Sequence, residues 1–183
     1  MKWVTKAPVY IVTDAEFKVY AQAFMADLKS WQVKGKRDET QKQWNAQIEK
    51  VLNEADVYGA PGLKVVYKLA EGAAALMRIT ELSDSVKIED LAAHVGAKGG
   101  GEILVEWAVD YAQRSGKQGV VTLTDMAPEG YYKALGFEYE DAPKMKLVPG
   151  DKPAIWTRLE GEWKLAKYIG PDGSKSQFLD SVT

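Results

Sequence analysis

Hydrophobic and polar positions along the chain form short alternating runs and longer runs with helical spacing. The run Pro8–Thr13 is β-branched and aromatic, which predicts a first strand. Between Ala15 and Trp31, apolar residues recur three and four positions apart, which predicts an amphipathic helix. Thr13 and Asp14 each offer an N-cap for that helix. The chain therefore begins as a strand followed by a helix.

The middle of the chain predicts a second helix and then three strands. The helix starts near residue 38 or 40 and ends before Gly59. The first two strands, Leu63–Leu69 and Ala73–Thr80, are joined by a tight turn at Glu71-Gly72. The third, Val86–His94, loses its alternation half-way, because apolar side chains change face between residues 88 and 91. We therefore expect a bulge near Glu89 and Asp90.

A glycine-rich loop follows the third strand. The segment Gly96–Gly101 contains four glycines and opens a helix predicted from Glu102 to about Ser115, with Gly116 as its C-terminal cap. One face of that helix is expected to carry Ile103, Leu104, Trp107, Ala108 and Tyr111. The first N–H groups of a helix lack internal partners, so the loop is a candidate anion site. A plain turn before a helix would have a similar sequence.

The last third of the chain predicts a strand, a short helix and a hairpin. The strand is Val120–Thr124, and the helix starts at Pro128 and ends at Gly136-Phe137. Residues 154–159 and 162–168 flank Glu160-Gly161 and read as a hairpin, in which Trp156 and Trp163 are expected to pack in the core. The polar segment 170–183 reads as a flexible tail, so we expect a single domain over residues 1–169.

Composition and charge exclude several classes of function. The 183 residues include 24 Lys and Arg against 26 Asp and Glu, so the net charge of −2 gives no reason to expect a nucleic-acid binder. There is no cysteine and one histidine, His94, which excludes thiol nucleophiles and multi-histidine metal sites. We expect no bound metal. With no signal-like or membrane-spanning apolar run, the expected location is the cytoplasm.

Two segments together resemble the signature motifs of the GCN5-related N-acetyltransferase (GNAT) superfamily. Gly96–Gly101, with Leu104 after it, resembles the Arg/Gln-x-x-Gly-x-Gly/Ala loop that opens the family's central helix. Tyr131–Phe137, YYKALGF, resembles the aromatic-Tyr-x-x-x-Gly-Phe motif of its last helix. The resemblance covers roughly residues 9–148. It implies an α+β fold, with a mixed, largely antiparallel sheet flanked by helices in an αβα sandwich.

The resemblance also implies an activity. A member of this family moves the acetyl group of acetyl-coenzyme A to an amine by direct transfer in a ternary complex. The residues matched to the cofactor are Ala92, Ala93, Lys98, Gly99, Gly100, Gly101, Glu102, Ile103 and Asp125. Residues 98–103 would hold the pyrophosphate through backbone N–H groups, and residues 92 and 93 would pair with the pantetheine arm. Tyr132 matches the general acid that protonates the departing thiolate, although packing beside Phe137 would also explain it.

The general base and the acceptor stay open. Glu89 and Asp90 lie closest to the place where family members often carry a catalytic carboxylate, while Glu81 and His94 are further candidates. Each of these side chains would also be unremarkable as a surface or loop residue. The acceptor is an amine of a small molecule or a protein, and a homodimer is a further open possibility.

Two departures from the family pattern motivate alternatives. Gly96 stands where the family has Arg or Gln, and Asp125 stands where it often has an Asn that touches the cofactor. One alternative is therefore a catalytically weak or inactive GNAT-fold module that binds coenzyme A and regulates a partner. Another is an effector or toxin that acetylates a macromolecule, for which the basic loop with Lys34, Lys36 and Arg37 gives slight support.

Overall fold

The computed structural model describes residues 8–30, 59–69, 72–94, 97, 99–127 and 130–169, with positions 42, 46, 48–50 and 52. Its helices and strands are, in chain order, β1 (Val9–Val12), α1 (Asp14–Ser30), β2 (Leu63–Leu69), β3 (Gly72–Glu81), β4 (Val86–Ala93), α2 (Gly100–Arg114), β5 (Val121–Thr124), α3 (Tyr131–Ala134), β6 (Glu138–Asp141), β7 (Lys144–Leu147), β8 (Trp156–Leu159) and β9 (Glu162–Leu165). Short 3₁₀ turns cover Pro149–Asp151 and Ala166–Tyr168. The described positions between 42 and 52 are helical, as predicted. The rest of that predicted helix, the basic loop and the tail 170–183 lie outside the described residues.

Seven of the described strands form one mixed sheet in the order β1-β2-β3-β4-β5-β7-β6. β1 pairs with β2, β5 with β7 and β6 with β7, all antiparallel, whereas β4 and β5 are parallel. A parallel pair needs a crossover connection, and α2 provides it. The predicted α+β fold with a largely antiparallel sheet and flanking helices is confirmed. β8 and β9 form a separate antiparallel hairpin, also as predicted.

The chain divides into two compact units. Of the described residues, those within Lys6–Arg78 and Asp90–Leu104 form one unit, called here the glycine-loop unit, and those within Ile79–Glu89 and Val105–Thr183 form the other, the Tyr132 unit. Each contains its own buried apolar residues. The single domain over residues 1–169 stays a prediction.

The glycine-loop unit is built around one face of α1. Five buried α1 side chains pack with residues of the sheet and with two of the helical positions near residue 50: Phe17, Ala21, Phe24, Met25 and Leu28 with Val66, Leu76, Ala92, Ile48 and Leu52. The 3-4 spacing of the α1 residues is the one the sequence showed. α1 therefore covers the sheet as predicted.

A reciprocal cap starts α1. The backbone N–H of Glu16 donates to the Thr13 hydroxyl (3.2 Å), while the N–H and the hydroxyl of Thr13 both donate to the Glu16 carboxylate (2.8 Å each). These two donors, the backbone N–H first, lower the pKa of Glu16. The arrangement is a capping box, which satisfies N–H groups that the helix itself cannot.

Two side-chain contacts between β3 and β4 favour the predicted bulge. Arg78 Nε donates to the Asp90 carboxylate (2.6 Å), and the Thr80 hydroxyl donates to the Glu89 carboxylate (2.8 Å). Arg78 and Thr80 are two apart on β3, so they share a face of the sheet. Their partners are adjacent on β4 and would lie on opposite faces of a regular strand. An extra residue at this point of β4 would bring both carboxylates to one face.

The helix α2 differs from its prediction at its start and in its buried face. It begins at Gly100 rather than Glu102. Its fully buried apolar side chains are Leu104, Val105, Ala108, Val109 and Ala112. Of the predicted face, Ile103, Trp107 and Tyr111 are partly exposed, and Trp107 stacks on Tyr111 with ring centroids 5.2 Å apart. The prediction of this face was wrong because Trp107 and Tyr111, four residues apart, have the spacing of core residues but form a partly exposed stack.

The strands β6 and β7 were not individually predicted. β6 is exposed at all four positions and carries three acidic residues, so it has no apolar alternation. β7 alternates lysines with Met145 and Leu147, which are both fully buried, but over only four residues. Such a short run carries too little periodicity to identify a strand.

The C-terminal hairpin is attached to α2 through backbone donors. The N–H of Trp163 donates to Asp110 (2.6 Å), and the N–H of Leu165 donates to Glu106 (3.0 Å). The two carboxylates are four residues apart and so lie on one face of α2, and the two N–H groups are two residues apart and so lie on one edge of β9. Both hydrogen bonds therefore join the same face of the helix to the same edge of the strand. Trp156 of the same hairpin is buried, as predicted, and its indole N–H donates to Leu135 O (2.8 Å).

A buried lysine joins the same carboxylates. Lys164 Nζ lies 3.1 Å from Glu106, 3.2 Å from Asp110 and 3.1 Å from Glu162; we call these four residues the Lys164 cluster. Lys164 is 7% exposed and Asp110 is 5% exposed. Burial raises the pKa of Asp110 more than the ammonium of Lys164 lowers it. Burial alone would lower the pKa of Lys164, but Glu106 and Asp110 outweigh it and the net direction is upward.

Candidate functional site

Two glycines shape the loop that opens α2. Gly99 has φ +78°, a left-handed conformation that L side chains rarely adopt. At Gly100, a Cβ would lie 3.2 Å from Ala74 O and 3.4 Å from Ala75 Cβ, so the helix start packs directly against the β3 backbone. A side chain is therefore disfavoured at both positions, by backbone strain at Gly99 and by close contact at Gly100. Gly96 and Lys98 of the predicted loop lie outside the described residues.

The first turn of α2 fits an anionic group. In this turn the N–H of Gly100 donates to Ala97 O (3.3 Å) and the N–H of Ile103 donates to Gly99 O (3.0 Å). The N–H groups of a helix's first turn have no preceding turn to accept them, and Gly101, between the two bonded residues, is where this turn can present one. Gly100 and Gly101 add no side chain that would cover these groups. Glu102 is an acidic residue in this turn, which suits the helix dipole but adds no attraction for a phosphate.

The predicted pantetheine residues lie at the end of β4, just before the loop. Ala92 is buried in the glycine-loop unit and Ala93 is the last residue of the strand. The next N–H, that of His94, donates to Ala74 O (2.8 Å). Ala74 thus borders both the end of β4 and Gly100. Ala92, Ala93 and the loop residues 99–103 all belong to the glycine-loop unit.

Both carboxylates proposed as the base are held by cations. Asp90 is paired with Arg78 at 2.6 Å, and Arg78 Nη1 also donates to Pro61 O (2.9 Å). Glu89 accepts from the Thr80 hydroxyl and is paired with Lys87 at 2.8 Å. Both carboxylates are thus engaged by a cation in the structure. A role in proton removal therefore requires that one of these pairs open or shift when the acceptor binds.

The two further candidates for the base are also engaged. Glu81 accepts a hydrogen bond of 2.5 Å from the Tyr111 hydroxyl and lies 3.8 Å from Lys117. His94 Nε2 lies 2.7 Å from the Asp27 carboxylate, and its ring packs edge-on against Phe24 at 5.5 Å between centroids. His94 therefore links α1 to the segment that enters the glycine loop. These contacts give both residues structural roles.

Tyr132 is a half-buried residue of the short helix α3. Its ring contacts Tyr131 and Phe137 edge-on, with centroids 5.1 Å and 5.7 Å apart. Its carbonyl accepts from the N–H of Phe137 (3.1 Å) just beyond α3, which ends at Ala134 rather than at the predicted Gly136-Phe137. Burial, and after it the Asp125 carboxylate, raises the pKa of Tyr132 to about 12.

Asp125 follows β5 directly and is fixed by its own contacts. Its N–H donates to Pro143 O (2.8 Å), and its carboxylate accepts from the N–H of Ala127 (3.3 Å) and from the Tyr139 hydroxyl. Asp125 and Tyr132 both belong to the Tyr132 unit. Tyr139 was not identified from the sequence, because a lone aromatic residue in a charged run shows no preference for a partner 14 positions away.

No group of three or more His, Cys, Asp or Glu side chains that would hold a metal ion occurs among the described residues. Within the same part of the chain, no helix is both long and apolar enough to cross a membrane.

Comparisons with known proteins identify the fold. No protein-family model matches the chain, and no curated protein matches it. Among solved structures, the chain is similar to a GCN5-related N-acetyltransferase from Rhodopseudomonas palustris, with 15% identity, a TM-score of 0.51, and 89% of this chain and 93% of that chain covered. It is also similar to the PaiA N-acetyltransferase from Thermoplasma acidophilum in complex with coenzyme A, with 14% identity, a TM-score of 0.48, and coverage of 75% and 94%. A GNAT family acetyltransferase from Brucella melitensis in complex with acetyl-CoA gives 13% identity, a TM-score of 0.46, and coverage of 76% and 85%.

The fold is therefore that of the GNAT superfamily, as the two sequence motifs indicated. The likeness to the Rhodopseudomonas palustris structure extends over most of both chains. At 15% identity it establishes the fold alone.

Proposed function

We propose that the protein is an N-acyltransferase that moves an acetyl group from acetyl-coenzyme A to an amine. The observation that carries the proposal is the start of α2. There, a left-handed Gly99 and a Gly100 packed on β3 open α2, so no side chain of these two residues covers the N-terminus of the helix. On a GNAT fold, this turn follows the strand end at Ala93, where the thioester arm would pair. Of the backbone N–H groups of residues 99–103, those of Gly100 and Ile103 donate to Ala97 O and Gly99 O, so the pyrophosphate is proposed to bind at Gly101 and the N-terminus of α2.

The chemistry proceeds by direct transfer, because the chain has no cysteine to carry the acetyl group. The amine nitrogen bonds to the thioester carbon, the carbon–sulfur bond breaks, and coenzyme A leaves as a thiolate. The amine gives up a proton to a carboxylate, for which Glu89 and Asp90 are the candidates. Tyr132 is the proposed partner of the departing sulfur.

The raised pKa of Tyr132 limits proton transfer from its phenol to the departing sulfur. With its pKa at about 12, the phenol lies roughly 3.5 units above an ordinary thiol of pKa ~8.5. Complete proton transfer to the thiolate would be uphill by roughly 5 kcal/mol, at 1.36 kcal/mol for each unit. Donation of a hydrogen bond to the developing negative charge has no such cost.

A transfer assay tests the proposal. The full chain is incubated with acetyl-coenzyme A and one acceptor at a time: a polyamine, a free amino acid, and peptides with a free α-amino group or a lysine. We expect release of the coenzyme A thiol that depends on one acceptor class, with the acetylated amine detected by mass spectrometry. Binding of acetyl-coenzyme A without transfer to any acceptor would instead support the regulatory module. Absence of both would contradict the proposal.

A further inference from the structure

His94 lies at the junction between the end of β4 and the glycine loop, and its backbone is bonded in both directions. Its N–H donates to Ala74 O (2.8 Å), and its carbonyl accepts from the N–H of Ala97 (2.9 Å). The carbonyl of Ala97 accepts in turn from the N–H of Gly100 (3.3 Å), the first residue of α2. A short series of hydrogen bonds therefore leads from His94 to the start of α2.

One backbone oxygen of β3 contacts both ends of this segment. Ala74 O accepts from the N–H of His94, and it would lie 3.2 Å from a Cβ placed at Gly100. It thus borders the residue that enters the loop and the first residue of the helix. A displacement of His94 would break its hydrogen bond to Ala74 and disturb the packing of Gly100 against β3. The position of the helix start therefore depends on the position of His94.

The side chain of His94 attaches this junction to α1. Nε2 lies 2.7 Å from the Asp27 carboxylate, and the ring packs edge-on against Phe24, with centroids 5.5 Å apart. Phe24 and Asp27 are three residues apart, so they are neighbours on one face of α1. The side chain of His94 is 10% exposed, whereas that of Asp27 is 64% exposed. All these residues belong to the glycine-loop unit.

We infer that His94 is a positioning residue that, together with Asp27, fixes the end of β4 and the start of α2 in the arrangement that receives acetyl-coenzyme A. This inference rests on the proposed function. It gives His94 a role other than that of the general base, for which the sequence left it as a candidate. A positioning role predicts a loss of affinity for acetyl-coenzyme A when the contact is removed, whereas loss of a base would lower kcat.

The test begins with calorimetric titration of α1 variants with acetyl-coenzyme A. Asp27→Ala removes the contact from its exposed side, so the core is left intact. We expect the affinity to fall about five- to tenfold, because ordering of the loop then opposes binding. Gln22→Ala, which shortens another exposed polar side chain of α1, is the control and should bind as the unmodified protein does. Unchanged affinity in Asp27→Ala, or an equal fall in Gln22→Ala, would overturn the inference.

A double-mutant cycle shows whether the two residues act through one contact. His94→Ala should lose at least as much affinity as Asp27→Ala, and the double variant should lose no more than His94→Ala alone. Losses that add in the double variant would mean that the residues act separately, which would overturn the inference.

His94→Gln separates positioning from proton transfer. Glutamine offers an amide nitrogen in place of Nε2, but its amide does not serve as a base. We expect this variant to recover most of the affinity that His94→Ala loses, and to keep kcat at saturating substrates. Retained affinity with a reduced kcat would identify His94 as the base, and no recovery of affinity would show that the contact is not the cause. Either result would overturn the inference.

Amide hydrogen exchange gives a readout that does not need the cofactor. In Asp27→Ala, the N–H groups of His94 and Ala97 should exchange faster than in the unmodified protein, while those of β7 should not change. Equal exchange of His94 and Ala97 in the two proteins would overturn the inference. If the unmodified chain does not bind acetyl-coenzyme A although exchange responds as expected, the proposed function fails and the attachment of the glycine loop to α1 stands.

Discussion

Replacement of the buried lysine of the C-terminal hairpin is expected to be strongly destabilising. Lys164→Met keeps the length of the side chain but leaves Glu106, Asp110 and Glu162 without the ammonium that lies 3.1–3.2 Å from each of them. Removal of one partner from a buried ion pair costs about 3–5 kcal/mol. Glu106 and Glu162 are 22% and 28% exposed, so water screens part of the loss and we expect about 3 kcal/mol.

Urea unfolding followed by tryptophan fluorescence measures this loss, because Trp156 and Trp163 lie in the hairpin. With a slope of about 1.5–2 kcal/mol per molar urea, the midpoint should fall by about 1.5–2 M. Lys167→Met, which removes an exposed lysine two residues beyond β9, is the control and should stay within about 0.5 kcal/mol of the unmodified protein.

The free energy of unfolding of Lys164→Met is expected to change with pH in one direction. The pKa of Asp110 is already raised by burial, and loss of the ammonium raises it further above its unfolded value. A carboxyl whose folded pKa is raised binds its proton more tightly in the folded state, so stability is regained as pH falls through that pKa. The loss in free energy of unfolding of the variant, relative to the unmodified protein, should therefore become smaller as the pH falls from 7. A loss below about 1 kcal/mol at pH 7, or a deficit that grows on acidification, would refute this account of the cluster.

Two further predictions concern α1 and α3. Thr13→Ala should lower the free energy of unfolding by about 1 kcal/mol through loss of the capping box, measured by thermal unfolding, whereas Thr13→Ser keeps the hydroxyl and should restore most of it. An equal loss in both variants would show that the hydroxyl is not the cause. Tyr132→Phe should lower kcat for acetyl transfer about 100-fold with unchanged affinity for acetyl-coenzyme A, and Tyr131→Phe should not. An unchanged kcat in Tyr132→Phe would assign Tyr132 to packing alone.

The parts of the fold that were predictable depend on contacts close in sequence. The α1 face from Phe17 to Leu28 follows from periodicity, because burial on one side of a helix repeats every 3.6 residues. The strands β2 and β3 are each buried at four consecutive positions, so they follow from two neighbouring apolar runs joined by a tight glycine turn. The ends of α2 were recognisable from the glycines at 99 and 116. Both residues have φ near +77°, which residues with a Cβ rarely adopt, so glycine in the sequence marks these positions. Both positions are determined by the local backbone.

The parts that were missed depend on contacts distant in sequence. The pairing of Tyr139 with Asp125 and of β9 with Glu106 and Asp110 joins residues that are 14 to 59 positions apart. A single sequence carries no signal for such pairs, because each partner is an ordinary polar residue in its own segment. Spacing placed Asp125 among the cofactor residues, but spacing alone does not identify the side chains around a position. The site residues themselves stay predictions until the cofactor is tested.

Calorimetric titration with acetyl-coenzyme A tests the central claim most directly. The comparison uses Gly99→Ala and Gly116→Ala, which place the same strained left-handed alanine before and after α2, at a cost of about 1–2 kcal/mol each. We expect binding near −8 kcal/mol, a micromolar affinity, in the unmodified protein and in Gly116→Ala, and a loss of at least tenfold in Gly99→Ala. Equal binding by all three proteins, or no binding by the unmodified chain, would contradict the assignment of the glycine loop to the cofactor.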